Sequence, residues 1–464
     1  MRVSDLLRFL CVLSTLGGGG CRACPRAPAP RQPVRAQARV VEVRDAERLW
    51  GYWYAAPRAW LAYELTDEVR LWRHERGARA AWTRRGRRLV LNGRSMGVDL
   101  TGLTGARAAL WLCGRGGWER WVVLEGAALT PAVIRCLGRA RRLGLALVSS
   151  PGERLPLNRL SPLRDALVAL SLKEAALTPD GITRVAGLRR LEALSLAGVQ
   201  LGSMSLDPLR GLRALRLLDL TDVDLRELGF LARLEGLRRL LLAGTRVADD
   251  ELDRLDGLGR LRALDLSRTA VTDFGVDRLT GLAKLQALDL SDTGVTDLGA
   301  DLVAGLGGLR VLRLGPNLTD VGLAHLEDLA ELRVLALRRT AVSDAGLSRL
   351  ARLRWLESLD LAWTDVGDPG LRFLRGHVRL RHLDLGRTRV TGAGLRHLEW
   401  ARELAVLILR WAPLVRRHLG ALARLRNLRR VDLTGTRWKS SPAVYGAYAT
   451  GSAALPGSTP SSAK

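Results

Sequence analysis

The sequence predicts an α/β solenoid in which short outer helices back a parallel inner sheet, over about 12–14 repeats. Three observations predict this fold class. A leucine frame returns about every 24 residues, apolar and polar residues alternate inside each frame, and apolar residues follow it at helical spacing. Each repeat of such a chain buries its leucines only against neighbouring repeats, so the core grows by stacking.

The leucine frame, Leu-x-x-Leu-x-Leu, sets the repeat length. It starts twelve times, and nine of the eleven intervals are 24 residues, while the other two are 22 and 23. A register kept over some 300 residues is the signature of a repeat architecture. Fainter copies precede the first clear frame, because Val122 and Leu124 lie 48 residues before Leu170 and Leu172. The twelve starts are Leu167, Leu191, Leu215, Leu237, Leu261, Leu285, Leu309, Leu332, Leu356, Leu380, Leu404 and Leu428.

Each repeat should contain one strand and one short helix. Alternate residues of a strand point to opposite faces, so the leucines share one face, and strands that recur in one direction stack as a parallel sheet. A hydroxyl residue and an aspartate come next, as at Thr272 and Asp273. The hydroxyl can cap a helix, and the aspartate favours its positive start. Leu323, Leu326 and Leu329 show the helical spacing that follows.

The whole pattern resembles the leucine-rich repeat, in the variety LxxLxLxxTxVTDxGLxxLxxL that is frequent in bacterial proteins. The match covers about residues 167–438 well and 119–166 weakly. The resemblance implies a curved horseshoe with strands on its inner face, and a binding module whose concave face is the usual contact surface. Many members carry an asparagine that bonds to neighbouring backbone where this chain has threonine, and we expect a hydroxyl ladder to do similar work. These threonines are Thr245, Thr269, Thr293, Thr340, Thr364, Thr388 and Thr436.

Composition divides the chain into five segments. A Trp- and Arg-rich stretch without the frame precedes the repeats, and it is either a cap over the first leucine layer or a small separate domain. Ser, Ala, Gly and Pro dominate the end of the chain, which predicts a disordered tail. The segments are a lipoprotein-like signal peptide at 1–21, a Pro/Ala-rich linker at 22–40, the cap or domain at 41–118, the repeat array at 119–438 and the tail at 439–464.

The amino terminus has the plan of a signal peptide. Arg2 and Arg8 precede a short apolar run, four glycines and Cys21. The apolar run is far shorter than the roughly 20 residues that span a bilayer. Small residues before a cysteine resemble a bacterial lipoprotein signal, in which Cys21 becomes the lipidated first residue, although Gly18 and Asp5 depart from that pattern. We expect a lipid-anchored protein of the cell envelope, with plain secretion and a cytoplasmic location as alternatives.

The strong positive charge has two interpretations. A formal net charge of +26 is typical of proteins that bind nucleic acid or an anionic surface. Only four of the 73 basic residues are lysine, however, and a GC-rich genome produces this ratio without selection for binding. Arginine interleaved with tryptophan in residues 22–121 can bind nucleic acid through phosphate contacts and base stacking, but these residues show no regular spacing that favours this interpretation. Nucleic acid is therefore not the expected partner.

The search for chemical motifs predicts no enzyme, no cofactor, no metal and no small-molecule substrate. The sequence has no HExxH, phosphate-loop, GxSxG or EF-hand pattern. Cys21 and Cys24 have a metal-like spacing, but no second pair completes a tetrahedral site. Cys113 and Cys136 either pair after export or stay as buried free thiols, which is the simpler interpretation.

The residue between the second and third leucine of each frame is expected to point out of the concave sheet. In the eleven frames from Leu191 onward, six of these residues are aspartate, which tolerates a solvated strand. The alternative is a partner-binding site where exposed tryptophan and arginine supply the anchors that dominate interface energetics. That site would comprise Asp360, Trp363, Asp384, Arg387 and Trp411. We therefore expect a non-catalytic scaffold or recognition protein that binds a protein partner. The alternatives are a binder of nucleic acid or anionic surfaces and a cytoplasmic regulator.

Overall fold

A computed structural model describes most of the repeat region. The described residues divide between Val342 and Ser343 into two compact units, here called the amino-terminal and the carboxy-terminal unit. The predicted signal peptide with Cys21, the linker and the tail lie outside the described residues. Those residues are 82–85, 88–91, 94–100, 102–113, 121–148, 154–172, 175–425 and 427–436.

The sheet of the amino-terminal unit begins with an antiparallel hairpin and continues as parallel strands. The hairpin joins β1 (Trp82–Arg85) to β2 (Arg88–Leu91), and β3 (Arg94–Asp99) pairs antiparallel with β2. From β3 to β13 each strand of this unit pairs parallel with the next. The later strands are β4 (Trp121–Glu125), β5 (Leu143–Val148), β6 (Leu167–Ser171), β7 (Ala193–Ser195), β8 (Leu217–Asp219), β9 (Arg239–Leu241), β10 (Ala263–Asp265), β11 (Ala287–Asp289), β12 (Val311–Arg313) and β13 (Val334–Ala336).

The parallel stacking begins one repeat earlier than the leucine pattern of the sequence indicates. Gly97 of β3 is in register with Trp121 of β4, an offset of one repeat length. The end of the predicted cap or domain therefore adds a strand to the repeat sheet. An α-helix at Gly105–Cys113 follows this strand, and a disulfide joins its last residue, Cys113, to Cys136 in the next α-helix, across a Cα–Cα distance of 5.4 Å. The expectation of free thiols is therefore wrong.

The carboxy-terminal unit has four parallel strands in its described residues. They are β14 (Ser358–Asp360), β15 (His382–Asp384), β16 (Val406–Ile408) and β17 (Arg430–Asp432). Leu359, Leu383 and Leu407 lie in register on the first three. Equivalent leucines of the frame are fully buried in both units, so the prediction of an α/β solenoid with leucine layers is confirmed.

Short helices follow the strands, but only some of them are α-helices. The α-helices are α1 (Gly105–Cys113), α2 (Pro131–Leu137), α3 (Pro179–Ala186), α4 (Asp273–Asp277), α5 (Asp297–Ala304), α6 (Asp320–His325) and α7 (Asp344–Leu347). The 3-10 helices are Gly126–Ala128, Leu157–Leu163, Asp207–Gly211, Gly229–Arg233, Asp249–Leu255, Leu326–Asp328, Ser348–Arg352, Gly370–Leu374, Ala393–Leu398 and Arg416–Arg424. Among the described residues, none of the helices combines the length and the apolar character that crossing a membrane requires.

The threonines after the strands fasten their own turns. Each hydroxyl donates to the backbone carbonyl three residues earlier, as Thr293 does to Leu290 at 2.7 Å and Thr364 to Leu361 at 2.7 Å. In the repeat that begins at Leu309, Asn317 takes the place of the threonine. Its longer side chain reaches the preceding repeat, where its amide donates to the carbonyl of Thr293 at 3.4 Å. The expected hydroxyl ladder between repeats is therefore wrong, because the shorter side chain bonds within its own repeat.

The Thr-Asp-x-Gly motif links successive repeats. Asp273 accepts hydrogen bonds from the backbone N–H and the hydroxyl of Thr296, at 2.8 and 2.6 Å. A Cβ atom on Gly299 would lie 2.4 Å from the same carboxylate. The aspartate thus bonds to the next helix start as well as favouring its own, and the glycine leaves room for it.

Candidate protein-binding surface

With the exception of the β12 repeat, where Pro316 stands at this place, each repeat from β7 onward turns after its strand through one residue in the left-handed region, three residues beyond the end of the strand. We call this residue the left-handed position. At most of these positions the backbone N–H donates to a carbonyl of the next repeat, as from Trp363 to Gly386 at 2.8 Å and from Arg387 to Arg410 at 2.7 Å. The conformation therefore continues the hydrogen bonding between repeats past the strand. The left-handed positions are Gly198, Asp222, Gly244, Arg268, Asp292 and Arg339 in the amino-terminal unit, and Trp363, Arg387, Trp411 and Gly435 in the carboxy-terminal unit.

The strand aspartates hold these turns in shape. A carboxylate oxygen of Asp360 accepts from the backbone N–H of Ala362 at 2.9 Å, and that of Asp384 accepts from Gly386 at 2.8 Å. Asp360 and Asp384 are only 3% and 4% exposed. The expectation that these two carboxylates point into solvent is therefore wrong, because an aspartate here bonds to the backbone two residues on and shapes the turn.

The structure brings together the other three residues of the predicted site. The Arg387 guanidinium carbon lies 4.2 Å from the ring centroid of Trp363 and 4.9 Å from that of Trp411. Trp363 and Trp411 are 42% and 56% exposed, and Arg387 is also exposed. We call these three residues the Trp–Arg stack. One residue comes from each of three successive repeats, so the regular stacking of turns places them side by side.

A residue that the sequence analysis missed supports the Trp–Arg stack. Gly435 occupies the left-handed position of the next repeat, with φ of 73°. A Cβ atom there would lie 2.2 Å from Cδ2 of Trp411, so the indole lies directly against the glycine backbone. The repeat length places Gly435 next to Trp411, since the two are 24 residues apart, but it does not show that the indole rests on the glycine.

Arg387 differs from Arg389 and Arg410 because, within the residues that the structure describes, its charge is not paired with a carboxylate. Arg389 pairs with Asp365 at 2.7 Å, and Arg410 with Asp432 at 2.8 Å. Burial opposes ionisation of Asp432, but hydrogen bonds from Thr434 and the charge of Arg410 outweigh it, so its pKa is lowered.

A second exposed tryptophan–arginine pair lies in the same unit. The Arg379 guanidinium carbon lies 3.9 Å from the ring centroid of Trp355, which is 45% exposed. Trp355 precedes β14 and Arg379 precedes β15, so the pair lies at the other end of the strands from the Trp–Arg stack. Its arginine contacts one indole instead of two. They provide a matched comparison for the Trp–Arg stack.

The left-handed positions of the amino-terminal unit form contacts among themselves. Arg268 forms an ion pair with Asp222 at 2.9 Å. The two side chains meet above Gly244 of the intervening repeat, where a Cβ atom would lie 2.3 Å from the Asp222 carboxylate. These two side chains are half exposed, and each already has a charged partner. The same backbone position therefore serves internal pairing in this unit.

A buried polar cluster lies on three strands of the amino-terminal unit. Asp265, Asp289 and Arg313 are in register on β10, β11 and β12, and Arg313 donates to Asp289 at 2.8 Å. One oxygen of Asp265 accepts from Ser267, while the other is buried with no hydrogen-bond partner. Burial, followed by the charge of Asp289, raises the pKa of Asp265 to about 7.

Comparisons with known proteins agree with the repeat pattern. A family model described as Leucine Rich repeat matches residues 281–304 and 352–374. An internalin from Listeria monocytogenes has a TM-score of 0.51 and 20% identity, over 71% of this chain and 88% of the internalin. A leucine-rich-repeat protein from Leptospira interrogans has a TM-score of 0.49 and 19% identity, over 67% and 89% of the two chains. No curated protein matches the chain. At such identities the likeness shows the fold alone.

Proposed function

We propose, on the premise that the chain is a leucine-rich-repeat protein, that it binds a protein partner through the Trp–Arg stack and performs no chemistry on it. Leucine-rich-repeat domains generally act as binding scaffolds. Within the described residues, no group of three or more His, Cys, Asp or Glu side chains could hold a metal ion. Asp360 and Asp384 contribute by shaping the turns that present Trp363 and Arg387.

The observation that carries this proposal is the backbone conformation of the two tryptophans. Trp363 and Trp411 both have positive φ, at 63° and 57°. The left-handed conformation disfavours a residue with a Cβ atom by about 1–2 kcal/mol, and glycine adopts it freely. Glycine fills this position at Gly198, Gly244 and Gly435, so the fold itself does not require an indole there. Asp222 and Arg268 share this conformation and pair with each other, whereas Trp363 and Trp411 leave their indoles about half exposed. Strained residues cluster at ligand-binding sites, and the exposed indoles are the ones that a ligand can reach.

We also propose that the chain works in the cell envelope, anchored by lipid on Cys21. The basic start, short apolar run and small residues before Cys21 support export. The disulfide between Cys113 and Cys136 supports it independently, since disulfides persist in oxidising compartments.

Chemical cross-linking and affinity capture from the native cell test the binding role. Captured proteins would be compared between the wild-type chain and the double variant Trp363→Ala, Trp411→Ala. We expect the specific partner to be lost, because truncation of central aromatic anchors weakens binding by about 2 kcal/mol or more. Trp355→Ala is the control, since it removes an equally exposed indole from the other tryptophan–arginine pair. Equal capture by all three proteins contradicts the proposal.

A further inference from the structure

The guanidinium of Arg387 lies between two indoles. Its guanidinium lies over the indole of Trp363 on one neighbouring repeat and over that of Trp411 on the other. A guanidinium has five N–H donors, and within the described residues no acceptor takes one from the Arg387 side chain, so these groups are left to donate hydrogen bonds. The side chain is exposed, so a ligand can reach those groups.

Arg387 has no acidic partner within the described part of its unit. Residues 343–436 contain 18 arginines and 9 acidic residues. The nearby acids are occupied: Asp384 bonds to Gly386, Asp365 to Arg389, and Asp432 to Arg410 and Thr434. An acidic partner for this guanidinium must therefore come from outside the described part of this unit.

We propose that Arg387 binds a carboxylate from an acidic segment of a protein partner, with Trp363 and Trp411 packing against the residues on either side of it. This inference rests on the proposed function and names the chemistry of the partner. A planar guanidinium matches a carboxylate through two parallel hydrogen bonds, and such charge-assisted pairs are strong. The flanking indoles fix the guanidinium before binding and exclude water afterwards, which strengthens the pair.

The same geometry disfavours a nucleic-acid strand. Binding of a nucleic-acid backbone depends on several phosphate contacts along a positively charged track. At the Trp–Arg stack a single guanidinium lies between two uncharged rings, and Arg389, two residues on, and Arg410 of the next repeat already have acidic partners. A single carboxylate fits this charge arrangement better.

Peptide titration tests the proposal on the full chain, monitored by tryptophan fluorescence. The probe is an oligoglutamate peptide blocked at both ends, and an oligoglutamine peptide of equal length is the neutral reference. We expect Arg387→Gln to weaken oligoglutamate binding at least about tenfold, which is the scale of a hydrogen bond to a charged group. Arg379→Gln removes the same charge from the Trp355 pair and should change affinity less than about twofold on the same scale. Arg387→Lys keeps the charge without the planar fork and should restore affinity only in part.

Each alternative result is distinguishable. Equal losses from Arg387→Gln and Arg379→Gln would mean general attraction to a basic protein, and no loss from Arg387→Gln would also overturn the proposal. Tighter, Arg387-dependent binding of single-stranded DNA would replace the acidic segment by nucleic acid. Preferred binding of oligoglutamine with a free carboxyl terminus would replace it by a chain end. If native partner capture depends on the tryptophans but not on Arg387, the proposed function stands and this inference fails.

Discussion

Asp273 bonds to Thr296, 23 residues later, through both oxygens of its carboxylate. The same arrangement recurs between Asp249 and Thr272, and again between Asp297 and Thr319. Successive repeats of the amino-terminal unit are therefore joined by a polar link outside the sheet, in addition to the leucine layers.

Asp273→Ala should destabilise the amino-terminal unit. The change leaves two partly buried donors of Thr296 without an acceptor, and an unsatisfied group of this kind costs about 1–3 kcal/mol. Thermal melting followed by circular dichroism measures the effect. Asp301→Ala is the control, because Asp301 is a surface residue whose carboxylate contacts only His325 among the ion pairs described here. Equal melting temperatures of the two variants would show that the link contributes nothing.

Leu288→Asp should disrupt the leucine stack around it. Leu288 is 1% exposed on β11, so the new carboxylate would be buried between Leu264 and Leu312 without a partner. Burial of an unpaired charge costs several kcal/mol, so we expect a large drop in melting temperature. Leu298→Asp is the matched control, since Leu298 is 61% exposed in the same repeat and its replacement should have little effect. A wild-type melt for Leu288→Asp would disprove the inward assignment.

Asp265→Asn should stabilise the chain more at pH 8 than at pH 4. The folded state raises the pKa of Asp265 from 3.8 to about 7, so the wild-type fold loses stability as pH rises between these values. Asparagine does not titrate, and its amide oxygen can still accept from Ser267. At about 1.4 kcal/mol per pKa unit, the rise from 3.8 to about 7 corresponds to a gain of about 4 kcal/mol above pH 7.

Urea unfolding of the Asp265→Asn variant at several pH values measures this gain. The difference in unfolding free energy between variant and wild type should grow from pH 4 to pH 7 and then level off. Asp301→Asn, at a surface site, should show no such trend. A difference that is independent of pH would mean that Asp265 titrates normally in the fold.

Gly435→Ala should displace Trp411 without changing any residue of the Trp–Arg stack. The added methyl group meets the indole, and the positive φ of Gly435 adds backbone strain. We expect a changed near-ultraviolet circular dichroism spectrum and weaker partner capture. Gly420→Ala meets nothing within 4 Å and serves as the control. Unchanged spectra for both variants would contradict the contact between Trp411 and Gly435.

Cys21 should be the lipidated first residue of the mature protein. The signal-peptide plan before it motivates this expectation. Intact-mass measurement of protein from the source membrane should show cleavage before Cys21 and an added lipid. An unprocessed Met1, or cleavage elsewhere without lipid, would remove the anchor and with it the proposed location.

The sequence predicted the leucine layers and the grouping of Trp363, Arg387 and Trp411, because a fixed repeat length brings equivalent residues side by side. It did not predict the burial of Asp360 and Asp384. The alternation of a strand predicts only which face of the sheet a side chain lies on. The two carboxylates are buried where they accept hydrogen bonds from the backbone of the following turn, and alternation does not predict such a bond. Periodicity also does not say what a side chain rests on, so the role of Gly435 became visible only in three dimensions.

The left-handed position also bears on how such a chain could acquire a new partner. Its link to the next repeat is made by the backbone N–H, which every residue except proline possesses. The side chain at this point therefore varies without disturbing the leucine layers, provided that it is not β-branched. Gly, Asp, Arg and Trp all occur there in this chain. A few single substitutions could thus redirect recognition while the scaffold is inherited unchanged.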